Sequence, residues 1–536
     1  MLNLKSPTFG MFFCFGMILL VYCPDIMAQQ AHLNVQVIDS QTDELTPVRV
    51  RFTEVNGKIP PAPKEAVAIM YGRWDRAEGY EFQPDSSFYV DGGFNMELPG
   101  GEYKLQLSKG NEYISENHQI KLQPGDSLSM TFPLNRWINT PERGWYSADD
   151  HIHIRRSPRK DPLISVWTAA EDIYVGVMLW MGDFWETFYS QYAFGEEGVY
   201  KRGNRILASG QEEPRTPELG HTIGIGAEEP VRFRDQYYYY DLVFDRIREL
   251  GGLTGYVHQA ATFHGYRGLT LDGLRGRLDM LEILQFCAIE GPLVIDYYYH
   301  MLELGYKMTA IAGSDFPWCG RGERYGVEDA PDWPTQIGDV RFYTYTGDEF
   351  SYPKWKDALA AGHTFVSSGP VLDFSINEFI PGDELDIQAG STLRISARAF
   401  GHADQVPLDN LQIIAHGEII YQVYADDEGQ SVDELKIDFE LNPERGMWIA
   451  AKTEAGLHQV AHTTPIYVRV DGGGFHNPET ANKYLDLSEK YLQALEYDLE
   501  NPGDRLDHQA WRYKDGLMKR IEETRDVIKI LREKLK

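Results

Sequence analysis

The sequence predicts a multidomain α/β plus all-β protein, in which an α/β domain lies between two β-sandwiches and a helical segment follows. Residues 31–136 and 371–470 alternate apolar and polar positions, as half-buried strands do. Between them, apolar strand-like runs alternate with helical stretches, which indicates parallel strands. The chain has 536 residues, too many for a single hydrophobic core.

Residues 1–28 are expected to form a signal peptide. Lys5 supplies its positive charge, and residues 11–22 supply an apolar core too short to span a bilayer. Ala28 offers a small residue for cleavage. A lipid anchor at Cys23 is the alternative, although LVY before it lacks the small residues that such a site prefers. We expect a secreted or periplasmic protein with no transmembrane segment in the mature chain.

Composition narrows the class of partner. The net charge of −30 and the pI near 4.9 argue against nucleic acid as a ligand. After the signal peptide only Cys287 and Cys319 remain, which is no disulfide framework. The expected partner is a small-molecule or glycan-linked substrate, and the sequence leaves the oligomeric state open.

The first domain is expected at residues 29–136, as a β-sandwich. Glycine-rich turns such as Asp91-Gly92-Gly93 separate its predicted strands. The string PGGEYKLQL resembles the carboxypeptidase-regulatory-like modules of secreted enzymes. The region shows no cluster of catalytic residue types.

The remaining boundaries follow changes of pattern. Residues 137–370 form the expected α/β domain, with helices over DLVFDRIREL and roughly 293–304. Residues 371–475 return to strands and predict a second β-sandwich. Residues 476–536 read as a helical segment, split by Asn501-Pro502-Gly503.

The string GWYSADDHIHI contains two histidines at i and i+2. Side chains at this spacing point to the same side of a strand, so His151 and His153 are positioned to hold one metal ion. Ile152 and Ile154 interleave with them, which predicts an apolar face opposite the ligand face.

Further ligand types stand where apolar runs begin or end. Glu212 ends NRILASGQE, His221 opens HTIGIG, His258 closes LTGYV and Asp315 closes MTAIAGSD. In α/β barrels, reactive groups lie at the carboxyl ends of the strands. Four histidines and two carboxylates placed this way fit a two-metal site that activates water.

These strings together resemble the PHP (polymerase and histidinol phosphatase) metallohydrolases, in particular the CehA/McbA-like branch. The matching strings are SADDHIHI, SGQEEP, ELGHTIGIG, YVHQA and AIAGSD, with ALAAGHTFVSSGP downstream. The resemblance covers about residues 137–375. It implies a distorted (β/α) barrel and a metal-dependent hydrolase of ester-type bonds: phosphoester, carboxylester or carbamate.

The resemblance also implies a ligand set. His151, His153, Glu212 and Asp315 would hold one divalent ion, and Glu212 would bridge to a second held by His221 and His258. We expect two ions per chain, zinc first, with manganese or iron as alternatives.

Two departures bear on a third metal that PHP proteins commonly hold. Asp183 and Pro317 stand where the family carries histidines, so two metals are expected rather than three. Asp183 is a candidate catalytic residue, as ligand or proton shuttle, or else an ordinary loop carboxylate. Arg215 is a second candidate: its guanidinium would hold an anionic substrate oxygen in a forked contact, or pair with Glu213.

Two other hypotheses compete with this one. An amidohydrolase-type barrel also uses HxH, two later histidines and an aspartate, but it usually bridges its metals with a modified lysine. No lysine stands at a plausible strand end between His153 and His221. A degenerate, non-catalytic PHP-like binding module is the other alternative, and turnover on a panel of esters separates it from an enzyme.

Overall fold

A computed structural model describes residues 30–71, 79–257, 264–285, 293–317, 335–503 and 508–535. Strands and helices mix along this length, and strands predominate, so the protein is a strand-rich α/β protein. The signal peptide expected at residues 1–28, Cys23 and the expected ligand His258 lie outside the described residues. No helix in the described part of the chain combines the length and the apolar character needed to cross a membrane.

The N-terminal region has seven strands among its described residues. They are β1 (Ala31–Asp39), β2 (Pro47–Glu54), β3 (Ser87–Asp91), β4 (Gly93–Leu98), β5 (Gly101–Ser108), β6 (Glu116–Leu122) and β7 (Ser127–Leu134). One sheet has the order β4-β1-β7 and the other β3-β2-β5-β6. Leu33, Val35 and Val37 alternate with more exposed residues along β1. They share one apolar core with Val50 and Leu105 of the other sheet, so the predicted alternation is confirmed.

In its described residues, the central region contains twelve strands and five helices. It contains β8 (Trp145–Ile152), α1 (Asp161–Ala170), β9 (Val175–Gly182), β10 (Thr187–Phe188), β11 (Tyr200–Arg202), β12 (Arg205–Glu212), β13 (Arg215–Thr216), β14 (Gly220–Ile225), α2 (Tyr240–Glu249), β15 (Leu253–Val257), α3 (Gly265–Gly268) with a π turn (Leu269–Gly273), β16 (Met280–Leu284), α4 (Asp296–Glu303), β17 (Thr309–Ala312), β18 (Arg341–Tyr345), α5 (Tyr352–Ala361) and β19 (Thr364–Ser367). The helices expected over DLVFDRIREL and near residues 293–304 are confirmed as α2 and α4.

The central sheet curls so that its two ends approach each other. Strands β8, β9 and β12 are parallel neighbours, and so are β15, β16 and β17. A backbone bridge between Ile152 and Phe316 brings the chain after β17 beside the end of β8. The carboxyl ends of β8, β12 and β17 therefore meet at one edge of the curled sheet.

Several strands of this sheet depart from the parallel arrangement that the sequence predicts, among them β14 and β18. Strand β14 runs antiparallel to both β12 and β15. Residues 213–219 alone connect β12 to β14, and a parallel crossover needs about a dozen residues or more. Because β14 runs in the opposite direction to β12 and β15, its first residues lie at the edge where those two strands end.

The described part of the C-terminal region contains nine strands and two long helices. They are β20 (Val371–Ile376), β21 (Glu384–Ile387), β22 (Leu393–Phe400), β23 (Leu408–Ala415), β24 (Glu418–Tyr424), β25 (Glu434–Leu441), β26 (Met447–Ala455), β27 (Gln459–Thr463), β28 (Ile466–Val470), α6 (Ala481–Glu500) and α7 (Lys514–Lys534). Strand β19 pairs with β27, so the large sheet continues across the boundary expected at residue 370. The sheet β20-β22-β25 shares an apolar core with these strands.

The two long helices confirm the helical segment expected after residue 476. Along α6, Leu485, Leu492, Leu495 and Leu499 recur at helical spacing and are buried. With the apolar residues of α7 they join the core of the central region. The helices thus pack on the central region rather than stand alone.

Candidate metal centre

Strand β8 positions the two histidines of the HxH string. His151 and His153 are both 0% exposed, with ring centroids 5.0 Å apart. Ile152 and Ile154 anchor the segment in a core that includes Phe316, and the amide of His153 donates to the carbonyl of Phe316. Every residue of β8 is buried, so both faces of this strand are covered by other parts of the protein.

Glu212, the last residue of β12, lies between the histidine pair and His221. Its Oε2 is 3.8 Å from Nε2 of His151 and 3.5 Å from Nε2 of His153. Its Oε1 is 2.8 Å from Nδ1 of His221. Ligand atoms of His151, His153 and Glu212 all lie within 4.8 Å of one another. A carboxylate that faces imidazoles on two sides has the placement that a bridging ligand requires.

Asp315 joins the same group from the segment after β17. Its Oδ1 is 2.9 Å from Nε2 of His153 and 3.4 Å from Nε2 of His151. Asp315 has a φ of 52°, in the left-handed region that aspartate tolerates better than most residues. A Cβ added at Gly313 would lie 2.3 Å from both Asp150 Oδ1 and His151 Cβ, so glycine allows this segment to close onto β8.

His221 and Arg215 form the most accessible side of the centre. The Nε of Arg215 is 3.5 Å from Glu212 Oε1, and its side chain is 25% exposed. The His221 side chain is 12% exposed, compared with 1% for Glu212. Glu213 instead pairs with Arg232 at 2.7 Å. Arg215 therefore places a cationic group where the buried ligands approach the surface.

The carboxylate of Asp183, the other candidate catalytic residue, caps its own loop. Its carboxylate accepts the backbone N–H groups of Trp185 and Glu186 at 2.8 and 2.9 Å. Its backbone carbonyl accepts a hydrogen bond from Arg232. Capping of this kind is the usual use of an aspartate in a turn.

Sequence reasoning missed Glu282, which the structure places against the centre. Its Oε1 is 3.0 Å from Nδ1 of His151, on the side of the ring away from Glu212 and Asp315. Glu282 stands in the middle of the apolar strand β16, MLEIL, and is 0% exposed. A charged residue inside a short apolar run is the signal that would have identified it.

The carboxylates and the guanidinium shift the pKa values of the histidines in opposite directions. Burial opposes the charged form of His151, but Asp315 and Glu282 raise its pKa well above the usual range. Burial and then Arg215 lower the pKa of His221. Burial alone would raise the pKa of Glu212, yet Arg215 and His221 hold it well below the usual range. The environment of His151 thus favours a cation.

The structure therefore brings together five of the six expected ligands, His151, His153, Glu212, His221 and Asp315. The sixth, His258, follows directly after β15, outside the described residues. Imidazole nitrogen and carboxylate oxygen are the donors that zinc, manganese and iron accept in proteins. This donor set fits a divalent metal.

Comparisons with known proteins add no family. No family model matches the chain, and no curated protein matches it. Among solved structures, a Streptococcal ancillary pilin is 13% identical with a TM-score of 0.14, and the match covers 23% of this chain and 37% of the pilin. A beta-glucosidase from Listeria innocua in complex with glucose is 16% identical with a TM-score of 0.13, over 34% of this chain and 23% of the glucosidase. At these TM-scores the likeness supports neither a shared fold nor a shared function.

Proposed function

We propose that this protein is a metal-dependent hydrolase of an ester-type bond, related to the CehA/McbA-like branch of the PHP superfamily. The observation that carries the proposal is the position of Glu212, whose two oxygens face the HxH pair on one side and His221 on the other. In this proposal the curled central sheet is a distorted (β/α) barrel and the strand-rich flanking regions are β-sandwiches.

Two metal ions per chain are proposed, with zinc first and manganese or iron as alternatives. His151, His153, Glu212 and Asp315 would hold one ion, and Glu212, His221 and His258 the other. When bound, such a pair supplies an activated water and polarises the bond under attack. The burial of the HxH imidazoles supports the proposal, because burial restricts water around the ligands and strengthens electrostatic interactions.

Arg215 is proposed to bind the substrate. Its guanidinium lies against Glu212 and is partly exposed, so it can hold an anionic oxygen beside the centre. Phosphoesters offer such an oxygen in the ground state, whereas carboxylesters and carbamates develop one during hydrolysis. Asp183 remains a proposed proton shuttle only if its loop rearranges, because its carboxylate caps that loop.

Export is proposed from residues 1–28 alone, with the lipid anchor at Cys23 as the alternative. Under this proposal the mature protein acts outside the cytoplasm on a small-molecule or glycan-linked substrate.

Elemental analysis of the native protein, followed by turnover assays of the metal-replete form, tests the proposal. The assay panel contains phosphoesters, carboxylesters and carbamates, with Glu212→Gln as the matched control. We expect bound divalent metal and turnover of at least one class, lost in Glu212→Gln. Metal binding without turnover would favour the non-catalytic binding module. Absence of metal, or equal turnover by the variant, would contradict the proposal.

A further inference from the structure

We propose that Glu282 is a positioning residue that fixes the tautomer and the orientation of His151; this inference rests on the proposed metal centre. Glu282 is not among the ligands that the sequence suggests. It acts through His151, with which it makes a buried hydrogen bond of 3.0 Å between Oε1 and Nδ1.

Glu282 is a buried carboxylate surrounded by apolar residues of its own strand. Its neighbours on β16, Met280, Leu281, Ile283 and Leu284, are all 0% exposed. Placing a carboxylate among them carries a large desolvation cost unless a partner compensates it. The imidazole of His151 supplies a hydrogen bond that partly compensates this cost.

The geometry assigns each nitrogen of His151 a different task. Nδ1 faces Glu282, whereas Nε2 faces Asp315 at 3.4 Å and Glu212 at 3.8 Å. If Nδ1–H donates to Glu282, the lone pair of a neutral imidazole is on Nε2, on the side of the other ligands. A carboxylate partner of this kind also restrains rotation of the ring and raises its basicity as a ligand.

Asp150 provides a matched control for Glu282. It is also 0% exposed and stands next to His151 in the chain. Among the described residues, no hydrogen bond joins its carboxyl group to either imidazole of the HxH pair. Replacing each carboxyl group by the corresponding amide therefore separates the loss of the Nδ1 partner from the loss of a nearby buried acid.

The test measures zinc affinity of wild type, Glu282→Gln and Asp150→Asn by competition with a chelator. The glutamine keeps the volume of the side chain but presents a neutral and weaker acceptor. We expect Glu282→Gln to weaken zinc binding by about 10–100-fold, the effect typical of removing such a partner. Asp150→Asn is expected to stay within about threefold of wild type. The visible spectrum of the cobalt-loaded protein should change in Glu282→Gln and stay as in wild type in Asp150→Asn.

Equal zinc affinities for Glu282→Gln and wild type, or equal losses in both variants, would overturn the inference. Wild type that binds zinc and hydrolyses an ester would still leave the proposed function standing. Wild type that binds no zinc would instead contradict the proposed function itself.

If Glu282→Gln does not fold, nitrogen NMR of the zinc-loaded wild type decides, with ¹⁵N placed in the histidine rings. A proton on Nδ1 of His151 supports the inference, and a proton on Nε2 overturns it.

Discussion

Two buried clusters of charged residues lie at opposite ends of β12, and they differ in how their charges are balanced. Arg205 begins the strand and Glu212 ends it. The cluster at the Arg205 end joins the N-terminal strands to the central region, and we call it the interface cluster. Its residues are Lys109, Glu112, Arg136, Asp172 and Arg205.

The interface cluster is closed by short contacts. Arg136 lies 2.7 Å from both Glu112 and Asp172, and Arg205 lies 2.6 Å from Asp172. Two carboxylates thus face two guanidinium groups directly. Lys109 donates to the backbone carbonyl of Ala169 at 2.6 Å. Each carboxylate of this cluster is thus paired with a guanidinium group, without a ligand.

The candidate metal centre has more carboxylates than guanidinium groups and is more open to solvent. The carboxylates of Glu212, Glu282 and Asp315 face its imidazoles, and Arg215 is the cation beside Glu212. Several of its ion-pair distances, 3.4–3.8 Å, exceed those of the interface cluster. The comparison teaches that burial of charge does not identify a functional site. Three carboxylates around three imidazoles, with one guanidinium beside them and donor atoms a few ångströms apart, distinguish the candidate metal centre.

The largest effect is expected from breaking the interface cluster. Arg136→Met leaves Glu112 and Asp172 buried without their main partner and should lower the free energy of unfolding by about 3–5 kcal/mol. Arg143→Met is the control, because Arg143 makes a partly exposed ion pair with Asp373 that is worth about 0–1 kcal/mol. Urea denaturation measures both. Equal losses in the two variants would show that the cluster is no stronger than a surface pair.

The second prediction compares neighbouring glutamates. Glu212→Gln should weaken zinc binding by about 100-fold or more, because it removes the carboxylate between the histidines. Glu213→Gln should change it by about threefold at most, because the Glu213 carboxylate pairs with Arg232 at 2.7 Å and does not face the imidazoles. Chelator competition measures both affinities. A larger effect at Glu213 would mean that the ligand is assigned one residue too early.

Metal removal should affect stability through the centre alone. Zinc at about 100 times its dissociation constant should stabilise the fold by about 2.7 kcal/mol per site, and a chelator should reverse this. Glu212→Gln should lose the effect, whereas Arg136→Met should keep it. After dialysis against a weak chelator we expect about two metals per chain, as in dinuclear hydrolases. A persistent content of three would contradict the loss of the third site.

The last prediction concerns the pH dependence of stability, to which Lys109 should contribute the smallest effect when taken over one pH unit. Burial lowers its pKa to about 7, whereas an unfolded lysine titrates near 10.4. Between these values the unfolded chain binds more protons, so stability should rise with pH by at most about 1.4 kcal/mol per unit. Lys109→Met should remove this slope between pH 7 and 10. Parallel stability curves for variant and wild type would show that Lys109 keeps its proton in the fold.

The positions of the candidate ligands could be predicted from local sequence patterns. Glu212 and Asp315 each close a strand-like run, and His151 and His153 have the spacing that places both imidazoles on one side of a strand. A chain that buries such runs in parallel strands brings their carboxyl ends to one edge. The alternation in β1 and the helical spacing along α6 are likewise local patterns, and both are confirmed. Side-chain periodicity sets these features, because it depends on the chain's own geometry.

The tertiary structure decided the rest. His221 reaches the candidate centre because β14 runs antiparallel to β12 and β15. The short connection at residues 213–219 is the one feature of the sequence that indicates this direction. The pairing of β19 with β27 carries the sheet past residue 370, which no local pattern shows. Glu282 contacts His151, although the two residues are 131 positions apart in the chain. Asp183 and Arg215 both stand near strand ends, yet Asp183 caps its own loop whereas Arg215 lies against Glu212. Such contacts depend on how the sheet curls, and the curl is a property of the assembled strands rather than of any one segment.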